Sequence, residues 1–143
     1  MKYVIFHPVR LKEYEMEIIG DAGVKCQYKK GQLIFKAADD ASKLFLVETG
    51  LVRVCRLLED SGHKVVSVRG KGELIGLEDV FCGLKMTCTA RAISDVTVIA
   101  VKREDFLEIL DCDPFLLNRI IHILPLQVGS FRTRKGGRVF NCR

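Results

Sequence analysis

Short runs of branched and aromatic residues recur along most of this chain, and their spacing constrains its fold more than any other feature. They are separated by Gly, Asp or Ser at intervals of about 8–12 residues, a rhythm typical of an all-β sandwich, roll or barrel. Turn chemistry agrees, because EDSGHK at 59–64 suits a hairpin turn and Gly50 lies between two of the runs. In chain order the runs are KCQYKK, QLIFKA, KLFLVETG, LVRVCRLL, KVVSVRG, ELIGL, CTARAI and VTVIAVK.

Helical periodicity is found at the two ends of the chain. Residues 10–20 carry apolar side chains at helical intervals, and Gly20 predicts the end of that helix. A second helix is predicted from Lys102, where KREDFLEIL places two acidic residues in the first turn. A third is predicted from Pro114 at its first position, with Asp113 as the cap.

The third predicted helix carries a broad apolar stripe. Such a stripe faces the core or forms a helical dimer seam, and we expect a homodimer through it. Pro125 predicts an early helix end. No further helical pattern follows, so a helix-turn-helix is not expected. The stripe consists of Phe115, Leu116, Ile120, Ile123 and Leu124.

Composition fits one soluble globular domain, since 48% of the 143 residues are hydrophobic and 29% are charged. No apolar run approaches the roughly 20 residues of a membrane helix. The first residues lack the apolar core and cleavage site of a secretory signal, so a cytoplasmic location is expected. The scattered cysteines lack zinc-ribbon spacing and predict reduced thiols; they are Cys26, Cys55, Cys82, Cys88, Cys112 and Cys142.

Positive charge is concentrated at the C-terminus. The net charge is +5, and SFRTRKGGRVFNCR at 130–143 contains basic residues and no acidic one. Such a tail attracts nucleic acid or an anionic surface, but we favour a solvated, disordered end. DNA binding by the tail is expected to be weak, sequence-independent and salt-sensitive. The basic residues are Arg132, Arg134, Lys135, Arg138 and Arg143.

An ordered set of segments, covering about residues 25–124, resembles cyclic-nucleotide-binding domains. Among these, the sequence is similar to bacterial regulators of the cyclic AMP receptor and fumarate–nitrate regulator (Crp/Fnr) family. The matching segments are YKKGQLIF at 28–35 (first strand), LFLVETGLVRV at 44–54 (strand–Gly–strand), GELIG at 72–76 with TARA at 89–92 (edges of the phosphate-binding cassette), and VIAVKREDFLEIL at 98–110 (strand-to-helix exit).

The resemblance implies a mainly β fold with flanking helices. The expected core is a double-stranded β-helix (jelly-roll, cupin-like β-roll) with an N-terminal helix and two C-terminal helices. The expected divisions are an N-terminal helical segment at 1–24, a sensory β-roll at 25–101, C-terminal helices at 102–126 and a basic tail at 127–143.

The function implied is that of a ligand-sensing effector domain of a transcription regulator lacking its DNA-binding half, with no enzymatic activity. The chain alone is then not expected to recognise a DNA sequence or to associate with a membrane. A stand-alone small-molecule-binding or protein-interaction module is the alternative.

The glycine that begins the cassette is retained as Gly76, but the residue after it differs from the family pattern. In the family a Glu at that position bonds the ribose, whereas this chain has Leu77, with Glu78 displaced by one. In an extended segment a shift of one residue turns a side chain to the opposite face. We therefore expect the ribose contact to be lost.

The phosphate contacts also differ. The family Arg that neutralises the phosphate is replaced by Met86, and only the neighbouring Thr87 is retained. If the alignment slips by one residue, Lys85 offers a cation instead. Loss of both anchors should weaken binding by at least about a thousandfold, so tight cyclic AMP binding is not expected. Leu77 and Met86 would then line an apolar pocket for a neutral or aromatic effector, or would simply fill the core.

Cofactor and catalytic sites find little support in the sequence. Some relatives bind haem, and Cys82, His63 and His122 are side chains of the type that haem iron accepts, but their spacing selects no pair. A haem-based sensor is therefore the lesser alternative, and no cofactor or metal is expected. No nucleophile–base set or carboxylate pair indicates catalysis.

Overall fold

Each run with strand character in the sequence contains a strand in the computed structural model, which describes residues 3–5, 10–58, 63–130, 133–135 and 138–140. The strands are β1 (Tyr3–Ile5), β2 (Val24–Tyr28), β3 (Leu33–Phe35), β4 (Lys43–Thr49), β5 (Val52–Leu58), β6 (His63–Arg69), β7 (Leu74–Ile75), β8 (Thr89–Ala92), β9 (Val96–Lys102), β10 (Thr133–Lys135) and β11 (Arg138–Phe140). The helices are α1 (Glu13–Asp21), α2 (Leu77–Cys82), α3 (Arg103–Cys112) and α4 (Pro114–Ser130).

Two sheets form the β-roll. One has the order β1-β6-β5-β8-β3 and the other the order β2-β9-β4-β7. All pairs are antiparallel except β1 with β6. The expected jelly-roll with flanking helices is confirmed. The turn predicted at 59–64 joins the paired strands β5 and β6, but residues 59–62 lie outside the described part of the chain.

The central strands of the four-stranded sheet, β4 and β9, are buried on both faces, which explains why they are almost continuously apolar. Along β4, Phe45 and Val47 belong to a cluster inside the roll, whereas Leu44 and Leu46 belong to a second cluster under the helices. β9 alternates in the same way. One face of this sheet thus packs against the helices, and the other face lines the interior of the roll.

Gly50 turns the chain from the second sheet into the first. Its φ is +87°, and a Cβ there would lie 2.3 Å from the Asp95 carbonyl oxygen. Only glycine fits both the left-handed backbone and this close approach. The turn predicted at this position is confirmed.

The predicted start of α4 is confirmed, whereas the predicted ends of α1 and α4 are not. Asp113 caps α4 by accepting a hydrogen bond from the Leu116 N–H at 3.0 Å. Helix α1 ends at Asp21 and not at Gly20. The end predicted at Pro125 is wrong, because α4 continues to Ser130. A proline removes one backbone hydrogen bond, and a helix can bend there and continue.

The apolar stripe of α4 lies mostly inside the chain's own core. Leu116, Ile120 and Ile123 are buried in the second cluster, and Leu124 packs against it. Phe115 is 86% exposed. The three buried residues therefore stabilise this chain and are not available as a dimer seam.

The C-terminal segment contains secondary structure that the sequence did not predict. β10 pairs with β11 in an antiparallel hairpin, so the expected disordered end is wrong for these residues. Arg134, Lys135 and Arg138 lie in the hairpin. The other predicted tail cations, Arg132 and Arg143, lie outside the described residues.

Candidate ligand-binding site

A short helix, α2, lies between β7 and β8 where the sequence indicated a cassette. Gly76 precedes it with a φ of +85°, and a Cβ there would be 3.2 Å from the Met86 terminal methyl. The expectation of an extended segment at this point is wrong. On a helix a shift of one residue turns a side chain by about 100° and not to the opposite face. Glu78 accordingly still lines the pocket.

The loop after α2 is held against residues 38–41. The Ala38 N–H donates to the Met86 carbonyl at 2.8 Å, and the Met86 N–H donates to the Asp39 carbonyl at 2.7 Å. Lys85 forms an exposed ion pair with Asp40. These bonds fix the cassette loop over the roll, with Lys85 directed to a surface partner.

The pocket lies between the cassette and the five-stranded sheet. Its free volume is about 10 Å³, roughly the space that one water molecule needs. A nucleotide does not fit without rearrangement of the side chains. The lining residues are Phe35, Val54, Arg69, Ile75, Gly76, Leu77, Glu78, Asp79 and Cys88.

Asp79 holds the retained threonine. The Thr87 N–H donates to the Asp79 carboxylate at 3.1 Å, and the Thr87 hydroxyl lies 3.1 Å from both carboxylate oxygens. Burial raises the pKa of Asp79, while the hydrogen bonds from Thr87 act in the opposite direction. The Thr87 hydroxyl, which a bound phosphate would need as a donor, is thus already hydrogen-bonded to Asp79.

Arg69 is a cation inside the pocket, and it is 2% exposed. Its Nη1 donates to the Leu74 carbonyl at 2.6 Å and its Nε to the Ser67 hydroxyl at 3.1 Å. Burial lowers the pKa of Arg69 to about 10, so the guanidinium remains charged at neutral pH. The carboxyl groups of Glu73 and Glu78 partly offset this cost electrostatically.

Two further titratable groups line the pocket. Burial, followed by the charge of Asp79, raises the pKa of Glu78. Burial also raises the pKa of the Cys88 thiol to about 12, which makes it an unreactive thiol at neutral pH. The Arg56 guanidinium partly opposes the shift of each of these groups.

The structure divides the predicted pocket residues. Gly76, Leu77 and Glu78 line the pocket, whereas Lys85, Met86 and Thr87 are not among its lining residues. Leu77 and Met86 do not form one apolar surface, because Leu77 belongs to the cluster under the helices and Met86 to the cluster inside the roll.

Sequence reasoning missed Arg69, Asp79 and Cys88. A signal for Arg69 was present at the end of β6. There the usual alternation is reversed: Ser67 and Arg69 are buried while Val68, between them, is 49% exposed. Polar residues on the inner face of a strand require partners in the interior, and they indicate a polar site.

Metal and haem sites are not supported by any grouping in the described part of the chain, where no three His, Cys, Asp or Glu side chains converge. Cys82 and His122 are both exposed, and the His63 side chain lies outside what the structure describes. Among the described helices, none is long and apolar enough to cross a bilayer.

Jelly-rolls with a pocket inside the roll are among the folds in which proteins bind small molecules. The model of the cyclic nucleotide-binding domain matches residues 25–113. The chain belongs to that family.

The chain is similar to several bacterial regulatory proteins. It is 33% identical over 99 residues to the nitrogen fixation regulation protein FixK of Rhizobium meliloti, covering 66% of this chain and 46% of the relative. It is 28% identical over 97 residues to the cyclic AMP receptor protein of Thermus thermophilus, covering 68% and 45%. The crystal structure of the Thermus thermophilus catabolite activator protein matches with a TM-score of 0.64 at 27% identity, over 80% of this chain and 52% of that one. This chain therefore spans about half the length of the regulators it matches.

Proposed function

We propose that this domain is the effector-sensing part of a Crp/Fnr-type transcription regulator whose effector is not a tightly bound cyclic nucleotide. The observation that carries the proposal is the filled pocket. Arg69 occupies its interior, Asp79 pairs with Thr87, and the remaining free volume is about 10 Å³. An effector must displace or recruit these buried polar groups.

The energetics favour a ligand other than cyclic AMP. A cyclic phosphate placed at Thr87 would compete with the Asp79 carboxylate for the same donors. Met86 offers no charge in return. A hydrogen bond to a charged group contributes about 1.5–3 kcal/mol, so each lost anchor costs one to two orders of magnitude in affinity.

Effector binding can be transmitted through α2. Glu78 and Asp79 line the pocket, Val80 packs in the cluster that contains the buried residues of α4, and Leu77 contributes to both. Arg103 of α3 donates to the Val80 carbonyl at 2.6 Å. A shift of α2 on ligand entry would therefore move α3 and α4.

Further parts of the proposal concern the whole protein. We place it in the cytoplasm with the regulators it resembles, without enzymatic activity, and as a homodimer in which the exposed Phe115 and Ile121 of α4 are candidates for the contact. DNA binding by this chain alone is proposed to be weak and independent of sequence. A shift assay on unrelated duplexes should show it at low salt and lose it near physiological salt.

Native mass spectrometry of the purified protein tests the central proposal, since it reports bound small molecules and the oligomeric state together. We expect a homodimer that carries either no small molecule or one without a nucleotide mass. A retained cyclic nucleotide in stoichiometric amount would contradict the proposal.

A further inference from the structure

Beside the pocket, at its lining residue Asp79, a site with the donors of an anion subsite is occupied by the protein itself. The N–H and the hydroxyl of Thr87 converge on the carboxylate of Asp79, which is only 5% exposed. Two donors directed at one buried carboxylate form the arrangement with which proteins hold external anions. Here the anion is a side chain of the cassette helix.

The surrounding charges make a second anion unfavourable. Glu78 lies next to Asp79 and lines the same pocket. Burial raises the pKa of both carboxyl groups, and the Arg56 guanidinium opposes that rise for both. Arg69 already donates to the Leu74 carbonyl and the Ser67 hydroxyl. An entering phosphate would add like charge beside groups that are already costly to ionise.

We propose that Asp79 determines the chemical class of the effector: its carboxylate fills the anion subsite, so the pocket excludes phosphate-bearing ligands and admits a non-anionic ligand that donates hydrogen bonds. This inference rests on the proposed function, since it takes this pocket as the sensing site. At Leu77 and Met86 the family's ligand-binding residues are missing. The present inference is different, because it attributes the exclusion of phosphate to Asp79, a residue that is present.

The variant Asp79→Asn tests the inference directly. The amide keeps an acceptor for Thr87 and removes the charge. Calorimetry at pH 7 would use two anionic probes, inorganic phosphate and cyclic AMP. For the unaltered protein we expect no saturation up to about 1 mM, and for Asp79→Asn a dissociation constant at least about tenfold lower for at least one probe.

Asp105→Asn is the matched control, because it removes the same charge at an exposed position in the first turn of α3. It should bind the probes as weakly as the unaltered protein. A folded Asp79→Asn that binds both probes no better than Asp105→Asn would overturn the inference. Micromolar binding of cyclic AMP by the unaltered protein would instead overturn the proposed function.

Asp79→Ser guards against loss of folding, because serine is small and still provides a polar partner for Thr87. Circular dichroism identifies which of the two variants retains the native spectrum, and the binding result is taken from that variant. If both variants unfold, the carboxylate is required for the fold and the assignment of a selective role is contradicted.

Discussion

Thr87 and Asp79 show how a residue that resembles the family pattern can have a different partner in the folded chain. Thr87 stands where the family places a phosphate-binding hydroxyl, but its hydroxyl and N–H both donate to Asp79. The family pattern identified the residue, and only the three-dimensional arrangement identified its acceptor.

Replacing Thr87 with valine removes the hydroxyl and keeps the shape of the side chain. Of the two donors at Thr87, Asp79 then retains only the backbone N–H, so the free energy of unfolding should fall by about 1.5–3 kcal/mol, the range for a hydrogen bond to a charged group. Urea denaturation measures the change. Thr97→Val on β9 makes the same chemical change outside the pocket and should alter stability less. Equal effects would indicate that the Thr87–Asp79 contact is energetically unimportant.

The stability contributed by Asp79 should depend on pH with a defined sign. Burial raises its pKa, so above its ordinary value the native state binds more protons at this group than the unfolded state does. The group's contribution is therefore greatest below its ordinary pKa of about 3.9 and falls as pH rises through the raised value. Arg56, Glu78 and Cys88 are the other titratable groups that act on this site.

The difference in unfolding free energy between the unaltered protein and Asp79→Asn isolates this contribution. It should become less favourable to the unaltered protein between about pH 4 and pH 7. Urea titrations across that range measure it. A difference that grows with pH would contradict the expected sign, because it would mean that the partners of Asp79 stabilise its charged form more than burial penalises it.

At the scale of elements, two adjacent residues of α4 can show whether its apolar stripe packs in the core or forms a dimer contact. Ile120 and Ile121 are neighbours of identical chemistry, but Ile120 is fully buried and Ile121 is 51% exposed. Ile120→Asp places a charge in the core and should cost more than about 4 kcal/mol, enough to prevent folding of a marginally stable domain. Ile121→Asp should change stability by about 1 kcal/mol or less.

Circular dichroism and sedimentation distinguish the two roles. We expect Ile120→Asp to lose native structure and Ile121→Asp to stay folded. A folded, monomeric Ile120→Asp would restore the interpretation of the buried stripe as a dimer seam.

The fold was largely predictable from local chemistry, since strands β2 to β9 each overlap a run of branched or aromatic residues bounded by turn residues, whereas β1 was not predicted. Asp113 and Pro114 likewise marked the start of α4 through capping and fixed backbone geometry. The elements that were predicted wrongly are either short or contain a helix-breaking residue. Helix α2 has only 6 residues, and α4 passes through Pro125. Tertiary contacts decide such segments, and periodicity does not reveal them.

The site was less predictable than the fold. Gly76 and Glu78 were found because they lie at the family's cassette motif. Arg69 at the end of β6 and Cys88 just before β8 belong to no motif, and only the fold brings them to the same pocket. A single sequence does not show which polar residues meet across a sheet. The reversed alternation at Ser67, Val68 and Arg69 was the one local indication.

For the whole molecule, the two apolar clusters connect the pocket to the helices. The four-stranded sheet and α2 contribute to the cluster that holds Ile120 and Ile123, and α2 also borders the pocket. A ligand that rearranges Glu78 or Asp79 therefore acts on an element packed against α4. The central claim is that this arrangement responds to an effector other than cyclic AMP.

Isothermal calorimetry with cyclic AMP at neutral pH tests that claim most directly. The filled pocket predicts no saturable heat at nucleotide concentrations up to about 100 μM, where a ligand of micromolar affinity would be fully bound. A micromolar dissociation constant that is lost in Thr87→Ala would contradict the claim, because it would show that Thr87 exchanges Asp79 for the phosphate and that the pocket opens to the nucleotide.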